Sequence, residues 1–495
     1  MDRNARSPQV KRVEKVLQYG EGNFLRGFVD WMVDILNEQT DFNGSVAIVQ
    51  PMEKGLCELI NAQRGVYTTL LRGVQNGETV EEYRKITCIS RCLNPHETEQ
   101  FIAYRELGRS NDLRFVVSNT TEAGIVYHRE AYTPDRIQSS FPAKVAALLY
   151  DRYTRFAGDH SKGLVFLPCE LIDKNGDLLR EFVLKHADDW KLEAGFAAWV
   201  KEACDFTNTL VDRIVPGFPH DEAAKIWKTI GWEDKLLVSA ELFYLWVIES
   251  AKGDYEAELP LRKAGLNVVW TDDMSFNRTQ KVRILNGAHS MSALAAYQAG
   301  LDTVQQCIAD KDLLYPFMYQ GIFNEIIPSM DDASTGELVE YAKDVLERFE
   351  NPFNPHLLLS ISLNSVSKVK SRILPSLLAH IEKHGRLPEL LTFSLASLIA
   401  FYEGTEFEGP ALMGTREGET YLIQDDPAVL AFFKAAYSQG GTAEEKAARL
   451  SMAVLSNTEF WGRDLTKIEG LQPLVEEYLK AIYRNGMKAT LQEIV

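Results

Sequence analysis

Up to about residue 275, short apolar and β-branched runs alternate with stretches whose apolar residues return every three or four positions, the pattern of βαβ units around a mostly parallel sheet. These runs predict strands at Val13–Gln18, Val46–Gln50, Phe115–Asn119, Leu164–Leu167, Leu236–Ser239 and Val268–Thr271. Between the second and third lies VYTTLLRGVQNGETVEEYRKITCIS, whose Asn76-Gly77 turn between two alternating stretches predicts an inserted hairpin. Beyond residue 280 the strand pattern stops. Helical periodicity takes over, with helices predicted at Lys281–Gly300, Lys368–His384 and Leu391–Tyr402. The pattern therefore describes an α/β domain over residues 1–275 followed by an all-helical domain over 276–495, with no internal repeat or low-complexity segment.

The first strand runs into QYGEGNFLRGF, Gln18 to Phe28. Val13, Val16 and Leu17 make its apolar approach, and Phe24, Phe28, Met32 and Ile35 form one face of a following helix. Strand, glycine turn and helix start together receive a pyrophosphate: Gly20 allows the turn, Gly22 lets phosphate approach the backbone, and the first helical amides bind it. On this reading the N-terminal domain is Rossmann-like; the alternative is a glycine-bearing βα turn with no ligand. Leu25 stands in the place of a third glycine, which mainly serves close helix–strand packing, so a helix held slightly farther from the sheet is expected. The acidic residue usually found about 20 residues on, at the end of the second strand, is missing. Gln50 and Pro51 stand there, with Lys54 near enough to keep a 2′-phosphate in view.

At 495 residues the chain exceeds what one hydrophobic core supports, in keeping with two domains. Its 53 Lys and Arg against 70 Asp and Glu give a net charge of -17, which argues against nucleic acid or an anionic membrane surface as partner while allowing a local basic pocket. Six scattered cysteines without a CxxC pair suit reduced thiols. The charged start MDRNARSPQVKRVEK leads into no apolar leader, and no apolar run approaches a membrane span, so a cytoplasmic protein is expected.

The densest chemistry lies in VVWTDDMSFNRTQKVRILNGAHSMSALAAY, Val268 to Tyr297. On a regular helix, at about 100° per residue, His289 lies within about 60° of Asn286 and about 80° of Lys281, so the three can border one cleft. Among Ile284, Leu285, Leu294 and Ala295 such polar groups need partners or work to do. Taken singly they read as an exposed lysine and a backbone-satisfied asparagine and histidine. As a set they fit alcohol–carbonyl interconversion. A desolvated lysine can move the hydroxyl proton, an asparagine amide can donate to the developing oxyanion, and a neutral imidazole can orient a neighbouring hydroxyl. The sequence holds no HExxH or cysteine–histidine ligand spacing, so no metal is expected; nor does it hold a GxSxG elbow or a GxxxxGK phosphate loop.

Five segments, GEGNFLRGF, SNTTEAGI (Ser118 to Ile125), FTNTLVDRIVP (Phe206 to Pro216), AELFYLWVIE (Ala240 to Glu249) and KVRILNGAH (Lys281 to His289), stand in the order and spacing of the long-chain mannitol dehydrogenase family, which the chain resembles from about Val13 into its helical half. The resemblance implies an NAD-dependent, metal-free dehydrogenase of polyols or sugar acids, with its active site between the two domains. It places proton transfer on Lys281, oxyanion contact on Asn286 and substrate contact on His289. It places cofactor contacts on Tyr19, Gly20, Gly22, Asn23, Phe24 and Leu25, with a further contact from the loop of Thr120, Thr121 and Glu122, and it favours NAD despite Gln50. Asp212 and Arg213 are a family hallmark that reads as a structural ion pair or helix cap.

Hexitol dehydrogenases of this family carry Cys-Asp-Asn where the present chain has Cys169, Glu170 and Leu171. Leu171 cannot donate a hydrogen bond. Either the oxyanion site has one amide fewer, or Glu170 and its backbone replace it; Glu170 is equally readable as a substrate contact and as a structural carboxylate. In SLNSVSKVKSRILPSL, Lys368 and Arg372 share a helical face while Lys370 points elsewhere. That is either a solvated face or, in a strongly acidic protein, a clamp for the carboxylate of a small sugar acid, the expected partner. The resemblance places a substrate-contacting lysine on Lys368. A dinucleotide-binding sensor that had lost its chemistry is the other class open to such a chain, and the intact trio speaks against it.

Overall fold

The computed structural model describes residues 11–75, 77–120, 124–331, 334–353 and 356–495. The chain divides into two units, Met1–Gly73 with Glu78–Ser275, and Val74–Gly77 with Phe276–Val495.

In the first unit Val16, Ile48 and Val117 face one hydrophobic cluster while their neighbours Leu17, Val49 and Val116 face another, so these strands are buried on both sides. That is why they read as continuous apolar runs. The strands are β1 (Val13–Tyr19), β2 (Gly44–Val49), β3 (Tyr67–Gln75), β4 (Glu78–Ile86), β5 (Ile89–Leu93), β6 (Phe115–Ser118), β7 (Val165–Pro168) and β8 (Asp205–Phe206). Six of them form one parallel sheet in the order β5-β2-β1-β6-β7-β8. This is the doubly wound dinucleotide order, with its topological switch between β1 and β6. Strands β3 and β4 form the expected hairpin, whose Gly77 takes φ +77°, while Asn76 lies outside the described residues.

Two expected strands belong elsewhere. Val238–Ala240, here β10, pairs with β3 in the order β10-β3-β4, and β12 (Val268–Thr271) lies in a sheet ordered β12-β11-β9 with β9 (Asn208–Asp212) and β11 (Leu245–Glu249).

The second unit is helical, as expected, with one addition. Phe407–Glu408, Ala411–Arg416 and Glu419–Ile423, strands β13 to β15, form an antiparallel sheet. Glu417 and Gly418, both at positive φ, supply the tight turn that joins the last two. The helix expected over 368–384 is two, Ser365–Arg372 and Leu374–His384, because Pro375 can start a helix but not continue one. The helix expected at 391–402 spans Glu389–Phe401. Among the described residues no helix is long and apolar enough to cross a membrane, and all six cysteines are buried free thiols.

Candidate functional site

At the carboxyl end of β1, Gly20 takes φ +116°, a conformation strained for any side chain, and a Cβ there would stand 3.1 Å from the Asn119 carbonyl oxygen of the neighbouring β6 end. Gly22 differs. Its backbone is ordinary, at φ −67°, and a Cβ on it would meet nothing within 4 Å. Protein packing therefore gives no reason for glycine at this position, whereas close approach of a diphosphate to the backbone does; the turn fits a dinucleotide. Leu25 is buried in the core, and the close approach falls on Gly27, where a Cβ would stand 3.0 Å from Val238 Cγ1 and 3.1 Å from Val215 Cγ1. The helix Asn23–Gly27 breaks at Phe28 and resumes as Val29–Gln39.

Arg26 fixes the turn from beneath. Its guanidinium donates to Glu21 O (3.0 Å), to Asn23 Oδ1 (2.7 Å) and to Leu236 O. Behind it, Gln18 Nε2 donates to Gly20 O (3.0 Å) and Asp30 Oδ2 (3.3 Å), and the Tyr67 hydroxyl lies 3.2 Å from the same carboxylate oxygen. Burial drives Asp30 up to about 7 against the pull of Gln18, Tyr67 and Arg26. Of the expected cofactor contacts, Tyr19 turns its side chain into the core, with its hydroxyl on Tyr104 and its ring edge-on to Phe141. Only its backbone remains for a ligand, as for Leu25. Phe24 stacks on Phe28, and Thr121 and Glu122 lie outside the described residues.

Gln50, at the end of β2, is spent on its own loop. Its Nε2 donates to Met52 O (2.9 Å) and Glu53 O (3.1 Å), and its Oε1 accepts from Cys57 N (3.0 Å). Lys54 on that loop is exposed.

Glu170 follows β7 and is 2% exposed. Oε1 accepts from the Thr120 amide and hydroxyl (both 2.9 Å) and Oε2 from Ser118 Oγ (3.0 Å), so it ties the β7 end to the β6 end. This gives it a positioning task for the 118–120 loop; burial raises its carboxyl against those donors. Leu171 beside it is exposed and Asn175 is buried, its amide bonded to Pro168 O, Glu170 O and Thr209 O, so neither stands in for the missing donor. Arg213 is structural: it donates to Glu241 O and to Gly27 O, the last carbonyl of the helix Asn23–Gly27, and lies 4.4 Å over the Trp31 ring.

In the second unit the helix that carries the trio is not regular. Ser275–Gln280 is α-helical, Lys281–Leu285 is a π-helix, and Asn286–Gln298 is α-helical again. The Asn286 amide donates to the Lys281 carbonyl, an i→i+5 bond that stacks Asn286 over Lys281. In a regular α-helix the two would stand about 140° apart. The π-turn therefore brings to one side of the helix two positions that ordinary periodicity would separate. His289 is 7% exposed, packed on Phe349 (ring centroids 4.3 Å apart) and on His356 (4.9 Å), with Nδ1 buried and unpartnered. Burial first, then the charges of His356, Arg348, Arg372 and Lys368, push it well below its ordinary value, so the imidazole is neutral.

Lys368 and Arg372 sit four apart on Ser365–Arg372, both partly buried, while Lys370 is exposed. Lys368 Nζ donates to Ile361 O (2.9 Å) and Arg372 Nη1 to Ser290 Oγ (3.3 Å), one residue from His289. Among the described residues neither forms an ion pair. Burial and Arg372 lower Lys368, with Asp425 opposing, and burial lowers Arg372. Arg348 adds positive charge toward His289, and His356, itself lowered by burial and by Lys368, packs against its ring; the sequence reading missed both, which come from segments with no motif of their own.

Residues 14–260 match the family model of the mannitol dehydrogenase Rossmann domain, and residues 273–483 that of the mannitol dehydrogenase C-terminal domain. Altronate oxidoreductase of Bacillus subtilis (strain 168) is 44% identical over 493 residues, covering 100% of this chain and 98% of that one. Altronate oxidoreductase of Yersinia enterocolitica is 43% identical over 485 residues, covering 98% and 97%. Among solved structures, D-sorbitol dehydrogenase in substrate-free form superposes with a TM-score of 0.75 at 23% identity, over 97% of this chain and 95% of that one. Pseudomonas fluorescens mannitol 2-dehydrogenase, in ternary complex with NAD and D-mannitol, does so with 0.69 at 20% identity, over 99% and 95%. At these identities the structural likeness is one of fold.

Proposed function

The chain belongs to the mannitol dehydrogenase family and is a dehydrogenase of polyols or sugar acids; from that premise we propose that it interconverts D-tagaturonate and D-altronate with NAD, Lys281 carrying the proton. The observation that carries the substrate class is the pair Lys368 and Arg372, two partly buried cations near His289 that form no ion pair among the described residues, Asp425 acting on Lys368 only through its charge. Full-length relatives named altronate oxidoreductase support the same reading.

The turn from Gly20 to Asn23 would hold the diphosphate of the cofactor, which when bound would supply or accept the hydride. In the reducing direction Lys281 gives its proton to the carbonyl oxygen as the carbon becomes an alcohol, and the side-chain amide of Asn286 donates to that oxygen as charge develops on it. His289, neutral, orients an adjoining hydroxyl. Lys368 and Arg372 take the carboxylate, a charge-assisted contact worth about 1.5–3 kcal/mol, or roughly tenfold to over a hundredfold in binding. An uncharged hexulose cannot collect that contribution.

The test is a turnover panel of tagaturonate, fructuronate and fructose with NADH and with NADPH. The expected result is the highest kcat/KM for tagaturonate with NADH. Equal kcat/KM for fructose would overturn the carboxylate reading, and preference for fructuronate would move the assignment to the epimeric pair.

A further inference from the structure

Gln50 occupies the end of the second strand, where a dinucleotide fold places the acidic side chain that receives the ribose 2′-hydroxyl. Gln50 cannot replace it, since both ends of its amide are consumed by the loop it closes. A carboxylate reaches the same place from another direction. Glu21, between Gly20 and Gly22, extends from the glycine turn across to the loop after β2. Its Oε1 lies so near Gly55 that a Cβ there would come within 2.2 Å of it, and 2.6 Å from Gln50 Oε1. Gly55 thus leaves the space that the Glu21 carboxylate fills. The Leu56 amide faces the carboxylate, and Arg26 holds the Glu21 carbonyl at 3.0 Å, so backbone and side chain are both held in place.

We propose that Glu21 is the ribose-recognition residue of the cofactor site, its carboxylate accepting the adenosine ribose 2′-hydroxyl and repelling a 2′-phosphate. The assignment rests on the reading that this unit binds a nicotinamide dinucleotide. It would give the chain a preference for NAD although Gln50 ends its second strand and Glu53 and Lys54 stand exposed on the loop that follows. A hydroxyl can donate to a carboxylate. A 2′-phosphate brings no such donor and adds like charge.

Dissociation constants of NADH, NADPH and 2′-deoxyadenosine NADH, measured by fluorescence titration on the intact protein, test it. Glu21→Gln keeps the size of the side chain and removes the charge. It is expected to weaken NADH roughly tenfold or more, to leave NADPH equal or tighter, and to erase the loss that the 2′-deoxy cofactor suffers on the wild type. Gly55→Ala, which must displace the carboxylate, is expected to shift the NADH to NADPH ratio in the same direction. If Glu21 merely tethers the loop, the variant weakens all three cofactors by the same factor, and the assignment fails. If the folded wild-type protein binds no dinucleotide, the cofactor reading itself falls, and the assignment with it.

Discussion

Lys281 is the group on which the proposed chemistry turns, and its place at the first position of the π-turn sets it in line with Asn286. Lys281→Ala should lower kcat by roughly 10²- to 10⁴-fold, the usual worth of a positioned acid–base group, while NADH affinity stays close to wild type because the nucleotide turn lies in the other unit. Stopped-flow turnover with a parallel binding titration checks both halves; near wild-type turnover would remove the lysine from the mechanism. Lys368 calls for a different signature. Lys368→Gln should raise KM for tagaturonate about tenfold or more and barely alter residual turnover of fructose. Equal losses on both substrates would point to the lost Ile361 carbonyl contact rather than to a carboxylate site. The neutral His289 contributes no titration of its own near its ordinary value, so a His289→Asn enzyme should keep the shape of the pH profile while losing rate.

At the level of elements, the glycine turn separates two uses of one residue type. Gly20→Val should destabilise the protein, because φ +116° and the Asn119 carbonyl both reject a side chain. Gly22→Val should leave the melting temperature nearly unchanged yet raise the NADH dissociation constant strongly, since its Cβ meets only open space. Thermal melts beside titrations of the two variants decide this, and an unchanged cofactor affinity in a folded Gly22→Val protein would empty the turn of its role. Elements of this kind were legible from sequence because a doubly buried strand is an unbroken apolar run and a glycine turn punctuates it. β5, ISRCL, was not: Ser90 and Arg91 interrupt its apolar pattern, and both are partly buried at the sheet's edge strand. The 407–423 sheet escapes the pattern because its first strand is two exposed residues and its last buries only Tyr421 and Ile423, too little for an apolar run. The π-turn escaped for a deeper reason. Periodicity arguments assume 3.6 residues per turn, and one i→i+5 bond re-aims every side chain on one side of it. Glu170 was visible as a polar residue in an apolar setting, but its partners, Ser118 and Thr120, lie about fifty positions away in sequence.

Across the molecule, burial pushes Asp30, Glu170, Asp234 and Glu325 upward together, in each case ahead of the hydrogen bonds that oppose it. A carboxyl raised in the folded state stabilises that state fully below the unfolded value, about 4, and the contribution is lost as pH rises through the folded value, which for Asp30 is about 7. Unfolding free energy should therefore fall between pH 4 and 7 more steeply in the wild type than in Asp30→Asn, as urea midpoints at each pH will show. Parallel curves would mean that Asp30 titrates as an exposed carboxyl does. Resistance to opening is itself unevenly distributed. The π-turn at Lys281–Leu285 uses the rarer and less favoured ring, directly before a stretch from Met291 to Ala296 that is buried throughout. Amide protons around Asn286 should accordingly exchange into heavy water well before those of Met291 to Ala296, measured by mass spectrometry of overlapping peptides. The segment that carries the proton would then be mechanically compliant at one end and clamped at the other, so the lysine could adjust by small excursions while the rest of its helix stays shut.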